Sequence, residues 1–207
     1  MLKFYQERNR LEAGIDEVAR GCLAGPVYTA AVVWPKELDD SENHPILRDS
    51  KQLSARRRLI LKDYIEENSL DFSVAQGSNE EIDKYNILQC TYNTMHKAVD
   101  NLNIDVDFIL VDGTNFRPYY NQNRDLIPHK CFVKGDSKFA SISAASILAK
   151  VYHDQFIEKL CDENPDFEKY GWRNNMCYGT AEHINAIKEN GITPYHRKTF
   201  GLCRDYA

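Results

Sequence analysis

The chain has 207 residues, 43% apolar and 11% aromatic, enough to bury a substantial core and unlike a disordered segment. Its formal net charge is −5, with 14 basic and 20 acidic residues over positions 1–120 and 12 and 11 over 121–207, so a polyanion could be met only by a local basic face or by bound cations. No apolar run approaches the roughly 20 residues that span a bilayer, "MLKFYQERNR" carries no secretory h-region, and the six cysteines form no CxxC pair, which argues against a zinc or disulfide framework and for free thiols in a reducing compartment.

Residues 11–18 and 27–34 read as two strands, joined hairpin-fashion through Gly21, Gly25 and Pro26, with Pro35 ending the second. A helix is expected from near Ser54; it places Arg56, Arg57 and Arg58 in its first turn, the wrong end for the helix dipole. That points to an external anion or to a solvated basic face. "DFSVAQ" is a short strand, and Ser78 with Glu81 makes a capping box opening a helical stretch to about Leu102. Residues 107–113, "DFILVDG", are a buried strand ending in Asp-Gly, and 130–136, "KCFVKGD", another short strand. "SISAASILAKVYHDQFIEKL" is a long helix stopping before Pro165. A loop rich in Tyr, Trp and Asn follows, then a last helix over 181–190 with Gly191 as its stop. There is no internal repeat, and the alternation indicates an α/β or mixed α+β sheet.

Three strand-like segments end in carboxylates: Asp16 with Glu17, Asp112 and Asp136. Taken alone, Asp112 and Asp136 read more readily as turn residues, and only the full pattern raises the functional reading above that. Neighbouring strand residues face opposite ways, so Asp16 and Glu17 share a site only if the chain leaves strand geometry there, which the Ala19-Arg20-Gly21 turn allows. Grouped carboxylates repel unless a cation holds them; oxygen donors without His or Cys suit Mg²⁺ or Mn²⁺, and two such ions can clamp the attacking and leaving oxygens of a phosphodiester. On the long helix, Ala145, Ala149, Tyr152 and Phe156 share an apolar face. Ser143, Ser146, Lys150 and Asp154 share a polar one, which is either a phosphate-facing stripe or solvated surface.

Six segments in order resemble the ribonuclease HII family, a type 2 ribonuclease H: "GIDEVARGCLAGPV", "LRDSKQLS", "ILVDGTNF", "VKGDSKFASISAASILAKVYHD", "YGW…CYGTAEH" and "GITPYHRKTFG". The resemblance runs from about residue 11 to 204. It implies an α/β, RNase H-like fold, a central mixed sheet flanked by helices with a helical C-terminal extension. A single catalytic domain over 1–207 is expected, in which about 165–207 form a substrate-binding part. It implies a metal-dependent endoribonuclease that cuts the RNA strand of RNA–DNA hybrids and incises 5′ of single ribonucleotides in duplex DNA, leaving 3′-hydroxyl and 5′-phosphate ends, in DNA replication and repair. By position, Asp16, Glu17, Asp112 and Asp136 become the catalytic, metal-binding carboxylates for two Mg²⁺ or Mn²⁺ ions, with Asp154 and Lys150 as supporting candidates. Ala19, Arg20 and Gly21 become the turn that reads the 2′-hydroxyl, Tyr178 the tyrosine beside the sugar, and Lys51 a phosphate-side lysine. A cytoplasmic monomer is expected, with no membrane association, and no protein partner is inferred.

Two positions depart from the family pattern. Ala19 stands where the family usually has the first Gly of Gly-Arg-Gly, and alanine does not cheaply adopt φ > 0. Asn175-Met176-Cys177 stands in place of His-Lys-Gly before Tyr178. Neither touches the acids, so the expectation is retained catalysis with altered substrate preference. Two alternatives are set beside this reading. Ribonuclease HIII shares the acids but carries an N-terminal substrate-binding domain, for which the 15 residues before Asp16 are too few. A binding module with a dead site would be expected to lack some of the four acids. "FGLCRDYA" has no Gln-then-aromatic clamp-binding pattern.

Overall fold

The structure, a computed structural model, describes residues 2–37, 47 and 53–207. Lys51 and most of the segment LRDSK lie outside the described residues. The elements in chain order are β1 (Glu12–Val18), β2 (Val27–Val33), α1 (Ala55–Asn68), β3 (Asp71–Gly77), α2 (Asn79–Tyr85), α3 (Ile87–Asp100), β4 (Phe108–Asp112), β5 (Tyr119–Tyr120), β6 (Leu126–Ile127), β7 (His129–Phe132), α4 (Ala140–Glu163), α5 (Trp172–Asn175) and α6 (Ala181–Asn190). Five strands form one sheet in the order β3-β2-β1-β4-β7; β5 and β6 pair separately. The β1–β2 and β2–β3 pairs are antiparallel, β1–β4 and β4–β7 parallel, which makes the sheet mixed as expected.

Alternation along the strands sorts their side chains into two layers. Ala13, Ile15, Ala31, Val33, Ile109 and Val111 face α3, packing on Met95, Ala98 and Val99. Ala30 and Val32 face the other way, onto Leu61 and Ile65 of α1 and the apolar residues of α4. The central helix α4 lies hard against β1 because residue 14 is glycine: a Cβ there would stand 2.4 Å from the Ser141 carbonyl carbon. Burial runs almost all round the first half of α4, taking in Ser141, Ser143 and Ser146, so these serines are buried and not solvated surface.

Two sequence expectations shift. The helical stretch after Ser78 is two helices, broken at Asn86, whose φ of +66° leaves helical space while its side chain caps α3 at the Gln89 N–H. Asp136 ends no strand: β7 stops at Phe132 and Asp136 sits in a 3₁₀ turn over Gly135–Ser137 entered through Lys134 at φ +55°. Close packing sets that turn, since a Cβ on Gly135 would come within 2.7 Å of Ile142 Cδ1. The capping serines behave as read, Ser54 accepting from Arg57 N–H and Ser78 completing its box with Glu81.

Beyond Pro165 the chain makes a 3₁₀ turn (Pro165–Tyr170), α5, α6 and a 3₁₀ turn (Gly201–Tyr206). These wrap the second half of α4 around a core of their own, in which Tyr170, Trp172, Ile187 and Cys203 meet Ile157, Cys161, Ala19, Cys22 and Ala24. The β1–β2 connection is therefore no tight hairpin. It is a loop held against the C-terminal segment by isolated bridges Cys22–Tyr178 and Ala24–His196.

Candidate active site

Asp16 and Asp112 follow directly on the Ile15–Val111 pair of adjacent parallel strands. Sharing parity with Gly14 and Leu110, both point to the α4 side of the sheet. Asp16 is buried and accepts from the Glu17 N–H at 2.7 Å and from the Ser146 hydroxyl. Asp112 Oδ1 accepts from the Gly135 N–H at 2.6 Å; Asp136, the residue after Gly135, is buried. Burial, then the negative charges of Glu17 and Asp112, push the Asp16 carboxyl well above the ordinary range; the Ser146 and backbone hydrogen bonds only partly offset this.

Among the described residues no three His, Cys, Asp or Glu side chains stand already grouped as a complete ligand set. The fit to a metal lies in the donor chemistry. Asp16, Glu17, Asp112 and Asp136 offer hard oxygen donors, and the repulsion raising the proton affinity of Asp16 is what a divalent cation relieves.

Two of these acids, Asp16 and Glu17, line a cleft of about 350 Å³ together with Val18, Arg58, Ser146, Lys150 and Tyr178. The other charged residues lining it, Arg58 and Lys150, are cationic. Of the three arginines opening α1, Arg56 and Arg57 are exposed while Arg58 turns inward. Lys150 Nζ lies 2.7 Å from Asp154 Oδ1, and Arg58 Nη2 lies 3.6 Å from Asp154 Oδ2. His153 Nδ1 adds a third contact at 3.1 Å. Burial alone would raise the Asp154 carboxyl, but the hydrogen bonds from His153 and Lys150 outweigh it and hold it below its usual range. Asp154 is thus engaged with these cations and does not line the cleft.

The turn after the acids has the conformation that the family pattern suggested. Ala19 adopts φ +68°, the left-handed region ordinarily left to glycine. Arg20 Nη1 reaches back to Glu17 Oε1 at 3.2 Å, and Gly21 lies against the Tyr178 ring, 4.0 Å from where a Cβ would be. The residues before Tyr178 show the same departure, Met176 at φ +47° and Cys177 at +64°. Leu23 N–H donates to the Cys177 carbonyl at 2.8 Å, so both irregular segments are tied together. Tyr178 is 38% exposed and lines the cleft; its hydroxyl, in contact with the Ala19 backbone and the Cys22 thiol, is pushed up to about 12 chiefly by burial.

Three residues that the sequence reading passed over support this surface. Arg197 is fully buried, and its guanidinium donates to the carbonyls of Gly25 (2.9 Å), Arg20 (2.9 Å) and Ala19 (2.8 Å). His183 and His196 are also fully buried. His196 Nδ1 accepts from the Thr193 N–H at 2.9 Å, which leaves Nε2–H to donate to His183 Nε2 at 3.1 Å. The same His183 nitrogen accepts from Trp172 Nε1 at 3.0 Å, so its Nδ1–H donates to the Tyr178 carbonyl at 3.1 Å. Both imidazoles are neutral in this chain of bonds, and burial followed by the His183 neighbour pushes His196 down to about 3. Arg58 had a readable signal, since it shares a helical face with buried Leu61 and Ile65. The other three occupy irregular segments or one polar position of a short helix, where no period marks them.

Comparison with known proteins places these features in a family. The family model described as Ribonuclease HII matches residues 13–203. A ribonuclease HII of Christiangramia forsetii is 47% identical over 205 residues, covering 99% of this chain and 97% of the relative. Among solved structures, the ribonuclease H2 of Pyrococcus horikoshii superposes with a TM-score of 0.77 at 24% identity, covering 94% of this chain and 96% of its own. A PCNA:RNase HII complex from Archaeoglobus fulgidus gives 0.72 at 24%, covering 93% and 96%. Bst-RNase HIII in complex with Mn²⁺ gives 0.71 at 20%, covering 97% of this chain but 70% of that one. The structures bear on the fold; the sequence relatives carry the family.

Proposed function

The chain belongs to the ribonuclease HII family and is an endonuclease of the ribonuclease H type; we propose that it cuts the RNA strand of RNA–DNA hybrids and incises duplex DNA 5′ of a single embedded ribonucleotide, leaving 3′-hydroxyl and 5′-phosphate ends, with Asp16, Glu17, Asp112 and Asp136 holding two Mg²⁺ or Mn²⁺ ions. The observation that carries this reading is the cleft itself: Asp16 and Glu17 line it together with Arg58 and Lys150, and Asp112 stands beside Asp16. A bound divalent ion supplies activation of water and neutralisation of charge on the departing 3′-oxygen.

The protein's own groups do the rest. The buried acids fix where a cation can sit. Arg58 and Lys150 offer positive charge to a backbone phosphate entering the cleft. The backbone of Ala19, Arg20 and Gly21 meets the ribose 2′-hydroxyl, the group that separates RNA from DNA, and the Tyr178 ring packs beside the sugar at the junction. Lys51 is retained as a phosphate-side lysine on the family resemblance alone. In this reading the chain is one catalytic domain whose part from about 165 onward builds the substrate surface, because that part supplies Tyr178 and packs on the 19–24 loop. Among the described residues no helix is long and apolar enough to cross a membrane; a cytoplasmic monomer is proposed.

The test is cleavage of end-labelled duplex DNA containing one ribonucleotide, in Mg²⁺ and then Mn²⁺, with an all-DNA duplex and Asp112→Asn as controls. A cut on the 5′ side of the ribonucleotide that the variant loses is the expected result. Cutting only of long hybrids removes the junction-incision part of the proposal, and no cutting in either metal with binding intact overturns the whole.

A further inference from the structure

We propose that Arg197 is a positioning residue for substrate recognition: its buried guanidinium locks the peptide planes of the Ala19–Gly21 turn and so aims that turn's free backbone donors at the ribose. This rests on the reading that the turn meets the 2′-hydroxyl, and goes beyond it by assigning the side chain that sets its geometry.

An arginine with no exposed surface ordinarily needs a carboxylate, because burying an unpaired charge is costly. No ion pair from Arg197 to a carboxylate occurs among the described residues. Its Nε, Nη1 and Nη2 instead donate to three backbone carbonyls within one loop, Gly25, Arg20 and Ala19, at 2.8–2.9 Å. A planar fork gripping three carbonyls fixes the orientation of three peptide groups at once.

Peptide planarity carries that orientation to the opposite side. In a trans peptide the N–H points away from its own C=O. With the Ala19 and Arg20 carbonyls turned onto Arg197, the N–H groups of Arg20 and Gly21 point away from it, on a stretch where both residues are exposed. Neither N–H has a hydrogen-bond partner among the described residues, whereas the next amide, Cys22 N–H, closes the turn onto the Ala19 carbonyl at 3.3 Å. The turn therefore presents two successive unpaired donors next to the Tyr178 ring, the arrangement needed to meet a hydroxyl oxygen on a sugar. Ala19 makes the lock matter more in this chain. Alanine at φ +68° carries a strain that glycine would not, so an unheld turn would relax toward negative φ and swing both donors away.

The experiment measures binding, not turnover. In an Asp112→Asn background, to suppress cleavage, dissociation constants are measured in Mg²⁺ for two duplexes differing only in one central nucleotide, ribo or deoxy. The protein with Arg197 intact is expected to prefer the ribo duplex. Arg197→Lys, which keeps the charge but offers one point donor in place of the fork, is expected to reduce that preference by about tenfold, the scale of losing charge-assisted hydrogen bonds. A purely structural role would lower the folded fraction, scale both affinities together and leave their ratio unchanged. An undiminished ratio in a cooperatively melting Arg197→Lys overturns the proposal. Absence of any ribo preference with Arg197 intact is the separate failure of the underlying reading, and the assignment falls with it. If Arg197→Lys does not fold, Arg197→Gln, uncharged and with a planar amide, serves for the same ratio under the same criteria.

Discussion

Asp16 and Asp112 stand side by side at equivalent positions of two parallel strands, one residue beyond the paired Ile15 and Val111, on the face that α4 covers. The sheet register alone forces two carboxylates together, and the repulsion is part of what lifts the proton affinity of Asp16. Asp112→Asn is therefore expected to act in opposite directions. It lowers kcat by about 10²–10³-fold, the usual scale for losing one electrostatic contact to a transition state, and in metal-free buffer stabilises the fold by about 0.5–1 kcal/mol, the scale of a like-charge cross-strand pair. Urea unfolding in EDTA beside a cleavage assay checks both. Adding Mg²⁺ should raise the unfolding midpoint of the parent protein more than that of the variant.

The Arg58–Lys150 pair predicts a salt signature. Removing the proposed phosphate contact by Lys150→Met is expected to weaken substrate binding and reduce the slope of log K against log salt by about 1. Asp154→Asn should behave differently. Its oxygens are engaged by Lys150, His153 and Arg58, so kcat is expected to stay within about tenfold, the lower edge of a supporting contact. A loss as deep as that of Asp112→Asn would instead make Asp154 a metal ligand.

Ala19→Gly tests the departure in the turn. The structure shows the left-handed conformation already in place, with the alanine methyl buried. Relief of about 1 kcal/mol of strain is offset by about 0.8 kcal/mol of lost methyl burial. Stability is expected to move by less than about 1 kcal/mol, and the ratio of rates on single-ribonucleotide and long-hybrid substrates is expected to stay the same. A changed ratio would mean that alanine alters how the turn reads the junction.

The neutral His183–His196 pair predicts an acid limb. The His196 imidazole, at about 3 in the folded chain against an ordinary 6.5, binds no proton in the folded state while the unfolded chain takes one up. Stability is complete above about pH 6.5 and falls as pH drops from there toward about 3, by up to about 1.4 kcal/mol per pH unit for one such group. Urea midpoints between pH 7.5 and 4.5 should show this slope, and His196→Gln should flatten it; an equal slope in the variant would assign the acid sensitivity elsewhere.

How much of this was legible in the sequence depends on periodicity. β1, β2 and β4 announce themselves as apolar runs closed by acids and turn residues, and strand parity then places Asp16 with Asp112. The polar stripe on α4 was legible as a stripe but not as to what it faces. Gly14 decides that, by letting α4 approach so closely that Ser146 meets Asp16. The break at Asn86 was hidden because a polar residue inside a helical run carries no mark of its backbone angle. Asp136 was misplaced by one element because the 3₁₀ turn that holds it is set by packing against Ile142, a contact remote from the strand pattern. Arg197 lies within the segment "GITPYHRKTFG" but no period marks it: a basic residue in a polar loop is ordinarily exposed, and only the three-dimensional approach of the 193–197 segment to the 19–25 loop reveals its use.

The bond from Arg197 to Ala19 closes a span of 178 residues. During synthesis the four acids and the recognition turn are all translated well before the arginine that sets the turn. A nascent chain extending only through α6 would hold the complete acidic framework and yet carry a slack sensor. On the proposed reading, discrimination between ribose and deoxyribose is deferred until nearly the last segment has been made and docked. Such long-range closure is a slow event in folding, so under the proposed roles the ability to recognise a substrate is gained after the acidic framework already exists.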